Sequence, residues 1–151
     1  DLVNAENKNA AQDIAQNSFL FDEFIAAEFE KGNISANSFT DAELKIKFHG
    51  HCQQKSLITT KFTKQILSIP KNYKVAEIPS GCCGMAGSFG YEKEHYDLSQ
   101  KIGELVLFPE VRNADDDTVI VAVGTSCRCQ IESGTGKKSL HPIEVLWEAL
   151  V

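Results

Sequence analysis

Five cysteines are the residues whose type and spacing most clearly indicate chemistry: Cys52, Cys82, Cys83, Cys127 and Cys129. Cys82 and Cys83 are adjacent, in a glycine-rich stretch that reads SGCCGMAGSFG (80–90). A disulfide between neighbouring cysteines is disfavoured, because their side chains rarely reach the required geometry. An odd number of cysteines without a secretory signal indicates reduced thiols. Clustered thiols of that kind usually serve metal or redox chemistry.

The spacing of the cysteines predicts that they meet at one place in the fold. Apolar patterns predict three strands, at 42–49, 73–79 and 118–124. About three residues beyond them come, in the same order, Cys52, the Cys82-Cys83 pair and Cys127. In a parallel sheet the carboxyl ends of the strands lie along one edge, where open α/β sheets bind ligands. The thiols should therefore converge there, and a cation or cluster would neutralise their combined charge.

Helical patterns separate the predicted strands. Apolar residues recur at helical spacing in segments 12–32, 56–70, 91–111 and 141–151. The order α-β-α-β-α-β-α predicts an α/β fold: a single domain with a small parallel sheet of three to four strands and helices on both faces. Residues 1–40 are predicted to be an N-terminal helical lead-in, and 41–151 the cysteine-rich domain.

Apolar stripes predict which side of each helix is buried. The stripes are Phe21, Phe24, Ile25 and Phe29 in the first helix, Ile58, Phe62 and Ile66 in the second, and Leu98, Ile102, Leu105 and Val106 in the third. The first strand alternates apolar residues with Lys45, Lys47 and His49, the pattern of a half-buried strand. That pattern favours the edge of the sheet, whereas a mononucleotide-binding type of topology favours its centre. The sequence leaves this position open.

Composition and charge restrict the class of protein. The 151 residues, 42% of them hydrophobic, suit one globular domain with a core. The net charge of −6 disfavours a nucleic-acid partner, and the apolar runs are too short to span a bilayer. The chain starts at Asp1 and its only methionine is Met85, so we expect it to be a piece of a longer, cytoplasmic protein. Peripheral association of that protein with a membrane stays open.

Two of the four histidines lie beside the first cysteine. His49 and His51 flank Gly50 and are secondary candidates for metal ligation, for hydrogen bonding to sulfur or for fixing the loop. A nucleophilic pair of Cys52 with His49 also stays open. His141, just before Pro142, is expected at the start of a helix. The GTGKKS stretch at 134–139 lacks the spacing of a phosphate-binding loop.

Four stretches of the chain resemble the cysteine-rich CCG domain. They are HGHCQQKSL (49–57), SGCCGMAGSFGYEKEHYDLS (80–99), GTSCRCQI (124–131) and LHPIEVL (140–146). This module occurs in one of the subunits of heterodisulfide reductase and in the glycolate oxidase iron–sulfur subunit. It also forms the C-terminal part of fused FAD-linked oxidases of the D-lactate and D-2-hydroxyacid dehydrogenase type, which the stretch around Cys82 and Cys83 resembles most.

The resemblance implies an iron–sulfur site. The pattern of the family is a cysteine, a Cys-Cys-Gly segment and a C-x-x-C segment, and in heterodisulfide reductase such motifs hold a non-cubane 4Fe-4S cluster. Cys52, Cys82, Cys83 and Cys127 match the first four positions and are the expected ligands. The fifth position is Gln130, and the chain offers Cys129 in a C-x-C arrangement instead, so Cys129 is a secondary candidate.

The resemblance also implies partners, and the residues themselves leave two alternatives open. The chain would be the electron-transfer module of an FAD-linked 2-hydroxyacid oxidase, with FAD and further iron–sulfur domains in the remainder of that protein. The sequence has no dinucleotide fingerprint and no ferredoxin-like cysteine run, so we do not expect the chain to be catalytic alone. Two other interpretations stay open: a zinc-binding structural or interaction module, and a thiol–disulfide site that uses Cys82 and Cys83.

Overall fold

The computed structural model describes residues 4–151. Within that range three β-strands form: β1 (Leu44–His49), β2 (Tyr73–Glu77) and β3 (Thr118–Ala122). The α-helices of the same range are α1 (Lys8–Gln16), α2 (Phe21–Glu30), α3 (Cys52–Leu57), α4 (Lys61–Leu67), α5 (Tyr96–Leu105), α6 (Leu107–Arg112), α7 (Thr125–Thr135) and α8 (Pro142–Glu148). Short 3-10 helices occupy Ala5–Asn7, Ala36–Ser38 and Phe89–Tyr91. Among these described residues, no helix has both the length and the apolarity that crossing a bilayer requires.

The strands form one parallel sheet in the order β2-β1-β3, which confirms the predicted α/β class. β1 is central: Ile46 pairs with Val75 of β2 and with Val119 of β3. The alternation in β1 does not mark an edge, because its polar side is covered as well. His49 is fully buried there, and the ammonium group of Lys47 lies 2.9 Å from the carboxylate of Glu110.

Helices cover both faces of the sheet, as predicted. One face carries a cluster from β1, β3, α4 and α8, which contains Ile46, Phe48, Leu67, Val121 and Val145. The other face carries a cluster that includes Cys83, Leu107, Phe108, Val111, Ile120, Ala122, Cys127 and Ile131. Side chains alternate along a strand, so His49 points to the face opposite Phe48. His49 and the two buried cysteines therefore lie on the same side of the sheet.

Helix α2, in the N-terminal segment, packs against the core formed by later parts of the chain. Ala26 of α2 packs with Ile66 of α4 and Ala149 at the end of α8. The buried carboxylate of Asp22 accepts hydrogen bonds from the side chains of Gln54 and Thr63. α2 is thus tied to α3 and α4 by apolar and polar contacts. The boundary between residues 40 and 41 stays a prediction.

The helices differ from the predicted segments in length and number. The first predicted helix is two helices, because the chain is extended at Leu20, the residue before α2. The second predicted helix, 56–70, corresponds to α4, and the separate helix α3 that starts at Cys52 was not predicted. The third begins at Tyr96 and breaks at Val106, between α5 and α6. α7 was not predicted, because TSCRCQIESGT shows a weak apolar pattern.

Several residues of the predicted apolar stripes are exposed. Phe24, Ile58, Leu98 and Leu105 all have 40% or more of their surface accessible. α5 instead buries its small residues, Ser99 and Gly103. A Cβ atom on Gly103 would lie 2.3 Å from the Phe108 ring of α6, so a small residue is needed for the two helices to approach. Hydrophobic periodicity does not reveal a helix face that is buried through small residues.

Candidate metal centre

Three loops bring cysteines to the carboxyl edge of the sheet. Cys52 begins α3 just after β1, and Cys127 lies in the first turn of α7 after β3. Cys82 and Cys83 follow β2 on a loop that runs to the 3-10 helix Phe89–Tyr91. All five cysteines are free thiols. Segments far apart in the sequence therefore meet at this edge.

A buried group of three possible metal ligands forms the centre of the site. The sulfur atoms of Cys83 and Cys127 and a ring nitrogen of His49 all lie within 4.8 Å of one another. These residues are 3%, 1% and 0% exposed, respectively. Ligand atoms in a tetrahedral site with metal–sulfur bonds of about 2.3 Å and metal–nitrogen bonds of about 2.0 Å are about 3.5–4 Å apart. The upper limit of 4.8 Å is somewhat larger than this, so the three atoms are close enough together to be candidates for ligating one metal ion.

The surroundings of Cys83 and Cys127 favour the loss of one proton, so that one of the two thiols is a thiolate. The pKa of Cys83 is lowered to about 4, chiefly by the adjacent Cys127 thiol and further by His49 and the backbone N–H of Met85. The pKa of Cys127 is raised by Cys83 and by burial. One thiolate is stabilised by the protein alone, while a second one needs a positive charge beside it. A bound metal supplies that charge and removes the proton from a coordinating thiol.

Cys82 lies beside Cys52, whereas Cys83 lies beside Cys127. Burial raises the pKa of the Cys52 thiol, and the nearby Cys82 thiol raises it further. Both residues are partly exposed, unlike Cys83 and Cys127. The sulfur of Cys82 accepts a hydrogen bond of 3.3 Å from the backbone N–H of Gly84. Of the two adjacent cysteines, Cys83 therefore provides a buried, deep thiol and Cys82 a partly exposed, outer thiol.

A cavity of about 520 Å³ reaches the site from the surface. It is bordered by His51, Cys52, Cys83 and Gly87, among others. Gly87 has a positive φ of 74°, and its Cβ position is open. The outer thiol Cys52 and the deep thiol Cys83 are therefore reached from the same opening.

The backbone at Gly84 fixes where Cys83 lies. Gly84 has a φ of +99°, which is unfavourable for residues with a side chain. A Cβ atom there would also lie 2.2 Å from the carbonyl oxygen of Ser99 on α5. The Cys83-Gly84 segment can therefore sit directly against α5, and only glycine allows this contact.

His49 is held by residues that sequence reasoning did not single out. Its Nδ1 atom lies 2.7 Å from the hydroxyl of Ser80, which is buried. The ammonium group of Lys55 donates a 2.7 Å hydrogen bond to the carbonyl of the same serine. Within residues 4–151 the other ring nitrogen, Nε2, is buried and has no hydrogen-bond partner. The position of Ser80, two residues before Cys82 in the Cys-Cys-Gly segment, was the available signal.

His51 has a structural role at the edge of the site. Its Nδ1 atom accepts a 3.3 Å hydrogen bond from the backbone N–H of Gln53 and so caps α3. Its ring packs against Gly124, where a Cβ atom would lie 2.4 Å from the ring and 3.1 Å from the sulfur of Cys127. His51 thus borders Cys127 while fixing the helix that carries Cys52.

Cys129 and Gln130 lie on different sides of α7. Cys129 is exposed and sits beside Tyr91, whose pKa its thiol raises. Gln130 is 2% exposed; its amide donates a 3.1 Å hydrogen bond to the carbonyl of Ser99 and accepts one of 3.1 Å from Gln100. Residues three apart in a helix share a face, so Gln130, not Cys129, lies on the side of Cys127.

Comparisons with known proteins relate the chain to parts of larger dehydrogenases. It is 35% identical to one of the subunits of the anaerobic glycerol-3-phosphate dehydrogenase of Escherichia coli over 107 residues, which are 71% of this chain and 26% of that protein. It is 32% identical to the D-2-hydroxyglutarate dehydrogenase of Pseudomonas putida over 98 residues, 64% of this chain and 9% of that protein. For the enzyme of that name from Escherichia coli the identity is 26% over 138 residues, 89% of this chain and 13% of that protein.

The chain spans about a quarter of the first of these relatives and less of the others. No family model matches it, and no solved structure matches it. The resemblance that the cysteine motifs predicted is confirmed at the level of large dehydrogenases, while the CCG domain itself stays a prediction. The chain is similar to a segment of oxidoreductases that are longer than itself.

Proposed function

We propose that this chain is the iron–sulfur electron-transfer module, of the CCG type, of an FAD-linked 2-hydroxyacid dehydrogenase. The observation that carries the proposal is the buried convergence of Cys83 and Cys127 at the carboxyl edge of the sheet, with sulfur atoms within 4.8 Å of each other. The ligands we propose are these two residues together with Cys52 and Cys82. The relatives support the redox part of this assignment, because they are dehydrogenases.

The residues at the site fit an iron–sulfur cluster chemically. Thiolates are the ligands of such clusters, and four cysteines reach this edge from three loops. The low pKa of Cys83 favours the thiolate that a cluster requires. A bound cluster would supply one-electron transfer, which is the chemistry that links a two-electron flavin to other carriers.

The chain itself would bind the cluster and set its surroundings. Burial of Cys83 and Cys127 keeps water away from one side of the site. The backbone N–H of Gly84 donates to the sulfur of Cys82, and such hydrogen bonds help to set the reduction potential of a cluster. Flavin binding and hydroxyacid oxidation would belong to other domains of the parent protein, which are the partners we propose.

Anaerobic reconstitution tests this function. The chain is incubated with iron and sulfide, desalted, and examined by absorption and by EPR after redox titration. We expect a brown, EPR-active protein, and we expect Cys83→Ser to lose the colour. Cys129→Ser is the matched control, because this exposed cysteine lies on the other side of α7 and should keep the cluster.

Two outcomes would reject the proposal in favour of the alternatives. A colourless protein that binds one zinc ion per chain would indicate a structural zinc site, for which buried thiolates and an imidazole are also suited. A metal-free protein in which Cys82 reacts rapidly with disulfide reagents would indicate thiol–disulfide chemistry.

A further inference from the structure

The environment of His49 contains a polar atom without a partner. Its ring is fully buried, and within residues 4–151 nothing forms a hydrogen bond with Nε2. Leaving a buried polar atom unpaired is costly, so such an atom needs an explanation. A ring nitrogen of the same residue lies within 4.8 Å of the sulfur atoms of Cys83 and Cys127.

The other nitrogen of the ring is already engaged. Nδ1 lies 2.7 Å from the hydroxyl of Ser80. Ser80 is itself held in place, because its carbonyl accepts a hydrogen bond from Lys55 of α3. A histidine that ligates a metal typically donates from its second ring nitrogen to an oxygen atom, which fixes both the tautomer and the ring orientation. His49 with Ser80 has this arrangement when Nδ1 carries the proton, because the hydroxyl oxygen of Ser80 can accept it.

We propose that His49 is a metal ligand of this site, through Nε2, alongside the thiolates of Cys83 and Cys127. The inference rests on the proposed function in one respect, namely that a metal binds at these cysteines. Ser80 would act as a positioning residue that holds the imidazole in the ligating tautomer. The site is then of mixed sulfur and nitrogen character.

A neutral imidazole has a physical advantage at this place. The buried centre already contains the sulfur atoms of Cys83 and Cys127, and the partly exposed thiols of Cys52 and Cys82 lie at the same edge of the sheet. A further thiolate would add negative charge to a buried site, which is costly. A neutral nitrogen donor adds a bond without a charge, and replacement of thiolate by imidazole raises the reduction potential of an iron–sulfur centre.

Cobalt(II) binding tests the ligand assignment independently of cluster assembly. The full chain is titrated anaerobically with Co²⁺ and followed by its absorption bands. We expect His49→Ala to weaken Co²⁺ binding and to change the ligand-field spectrum, and we expect Ser80→Ala to weaken binding by about 10–100-fold, as loss of an outer-shell partner does. The matched control is His141→Asn, because His141 caps α8, does not border the cysteine site, and asparagine keeps the cap.

Pulsed EPR tests histidine ligation directly, first in the wild-type chain and then in two variants. The reconstituted cluster is prepared with natural and with ¹⁵N-labelled histidine. Direct ligation predicts a strong nitrogen hyperfine coupling that changes with the isotope, whereas a hydrogen bond from the ring to sulfur predicts only a weak one. The strong coupling should persist in His141→Asn and disappear in His49→Ala.

The outcomes separate this inference from the proposed function. A cluster that forms with only weak histidine coupling would overturn the role of His49 and leave the iron–sulfur function intact. Failure to assemble a cluster, together with Co²⁺ binding that depends on His49 and Ser80, would overturn the function and support the ligand assignment. Equal Co²⁺ affinity of the wild type, His49→Ala and Ser80→Ala would overturn the inference. If His49→Ala is unstable, equal affinity of the wild type and Ser80→Ala would overturn it.

Discussion

Cys127 and Gln130 lie one turn apart on the same buried side of α7, with 1% and 2% of their surfaces exposed. The position at which a C-x-x-C segment would place its second thiol therefore carries an amide. That amide binds the carbonyl of Ser99 and the side chain of Gln100. It also approaches Gly84, whose Cβ position is 3.1 Å from its nitrogen. Gln130 thus joins α5 and α7 behind the loop that carries Cys83.

Replacing Gln130 should destabilise the fold. Gln130→Ala removes the acceptor of Gln100 and the donor to Ser99 and leaves a cavity, so we expect the free energy of unfolding to fall by about 1–3 kcal/mol. Urea denaturation measures the change. Cys129→Ser, at the adjacent exposed position, should change it by no more than about 0.5 kcal/mol. Equal effects of the two variants would contradict the role that we give to Gln130.

Two glycines of the loop that carries Cys82 and Cys83 allow the cost of backbone strain to be measured apart from the cost of a steric clash. Gly84 and Gly87 both have positive φ angles, but only Gly84 has a backbone atom, the Ser99 carbonyl oxygen, 2.2 Å from its Cβ position. Gly87→Ala should cost about 1–2 kcal/mol from strain alone. Gly84→Ala should destabilise more and should also weaken Co²⁺ binding, because the loop must move away from α5. Thermal unfolding and Co²⁺ titration measure these effects, and similar results for both glycines would contradict this account.

His141 should make the stability of the fold dependent on pH. Its Nδ1 atom accepts a 3.2 Å hydrogen bond from the backbone N–H of Ile143 and caps α8. Burial lowers the pKa of His141, and the nearby charge of Arg128 lowers it further. The unfolded chain then binds a proton at higher pH than the folded chain, so stability is lost as the pH falls below about 6.5.

His141→Asn tests this pH dependence. Asparagine is a good cap that does not titrate, so the variant should keep its stability near pH 8 and lose less than the wild type between about pH 7 and pH 5. Urea unfolding across this range measures the difference. Parallel curves for the two proteins would show that the protonation of another group is responsible.

The buried carboxylate of Asp22 should be important for the attachment of α2. It accepts hydrogen bonds from the side chains of Gln54 and Thr63. Asp22→Ala leaves the buried hydroxyl of Thr63 without its acceptor, while the amide of Gln54 keeps its 2.7 Å hydrogen bond to Thr63. We therefore expect the free energy of unfolding to fall by about 1–3 kcal/mol. Asp13→Ala, on the exposed α1, is the control and should change stability little. A stable Asp22→Ala protein in urea denaturation would contradict this expectation.

The parallel sheet and its cysteine-bearing edge could be predicted from the sequence, because both depend on the alternation of strands with helices. The helix break at Leu20 could not, since no glycine or proline marks it. The break at Val106 had one signal, Pro109, which a helix accepts only in its first turn. The burial of α5 through Ser99 and Gly103 was also hidden, because small residues leave no apolar signal. Leu98 and Leu105, which periodicity placed in the core, are exposed as a result.

At the candidate site, the sequence indicated the cysteines but not which of them have buried thiols and which have partly exposed ones. Adjacent residues cannot be assigned to a deep and an outer thiol without knowing the course of the loop. His49 was a secondary candidate because the alternation of β1 did not show that both faces of the sheet are covered. α7 was missing from the predicted elements, so the shared face of Cys127 and Gln130 could be seen only in the structure.

A count of iron, zinc and acid-labile sulfide per chain, in protein purified without oxygen, tests the central claim most directly. The account predicts stoichiometric iron together with acid-labile sulfide, both lost in Cys83→Ser and both retained in Cys129→Ser. Zinc bound without sulfide, or iron and sulfide that persist in Cys83→Ser, would contradict it.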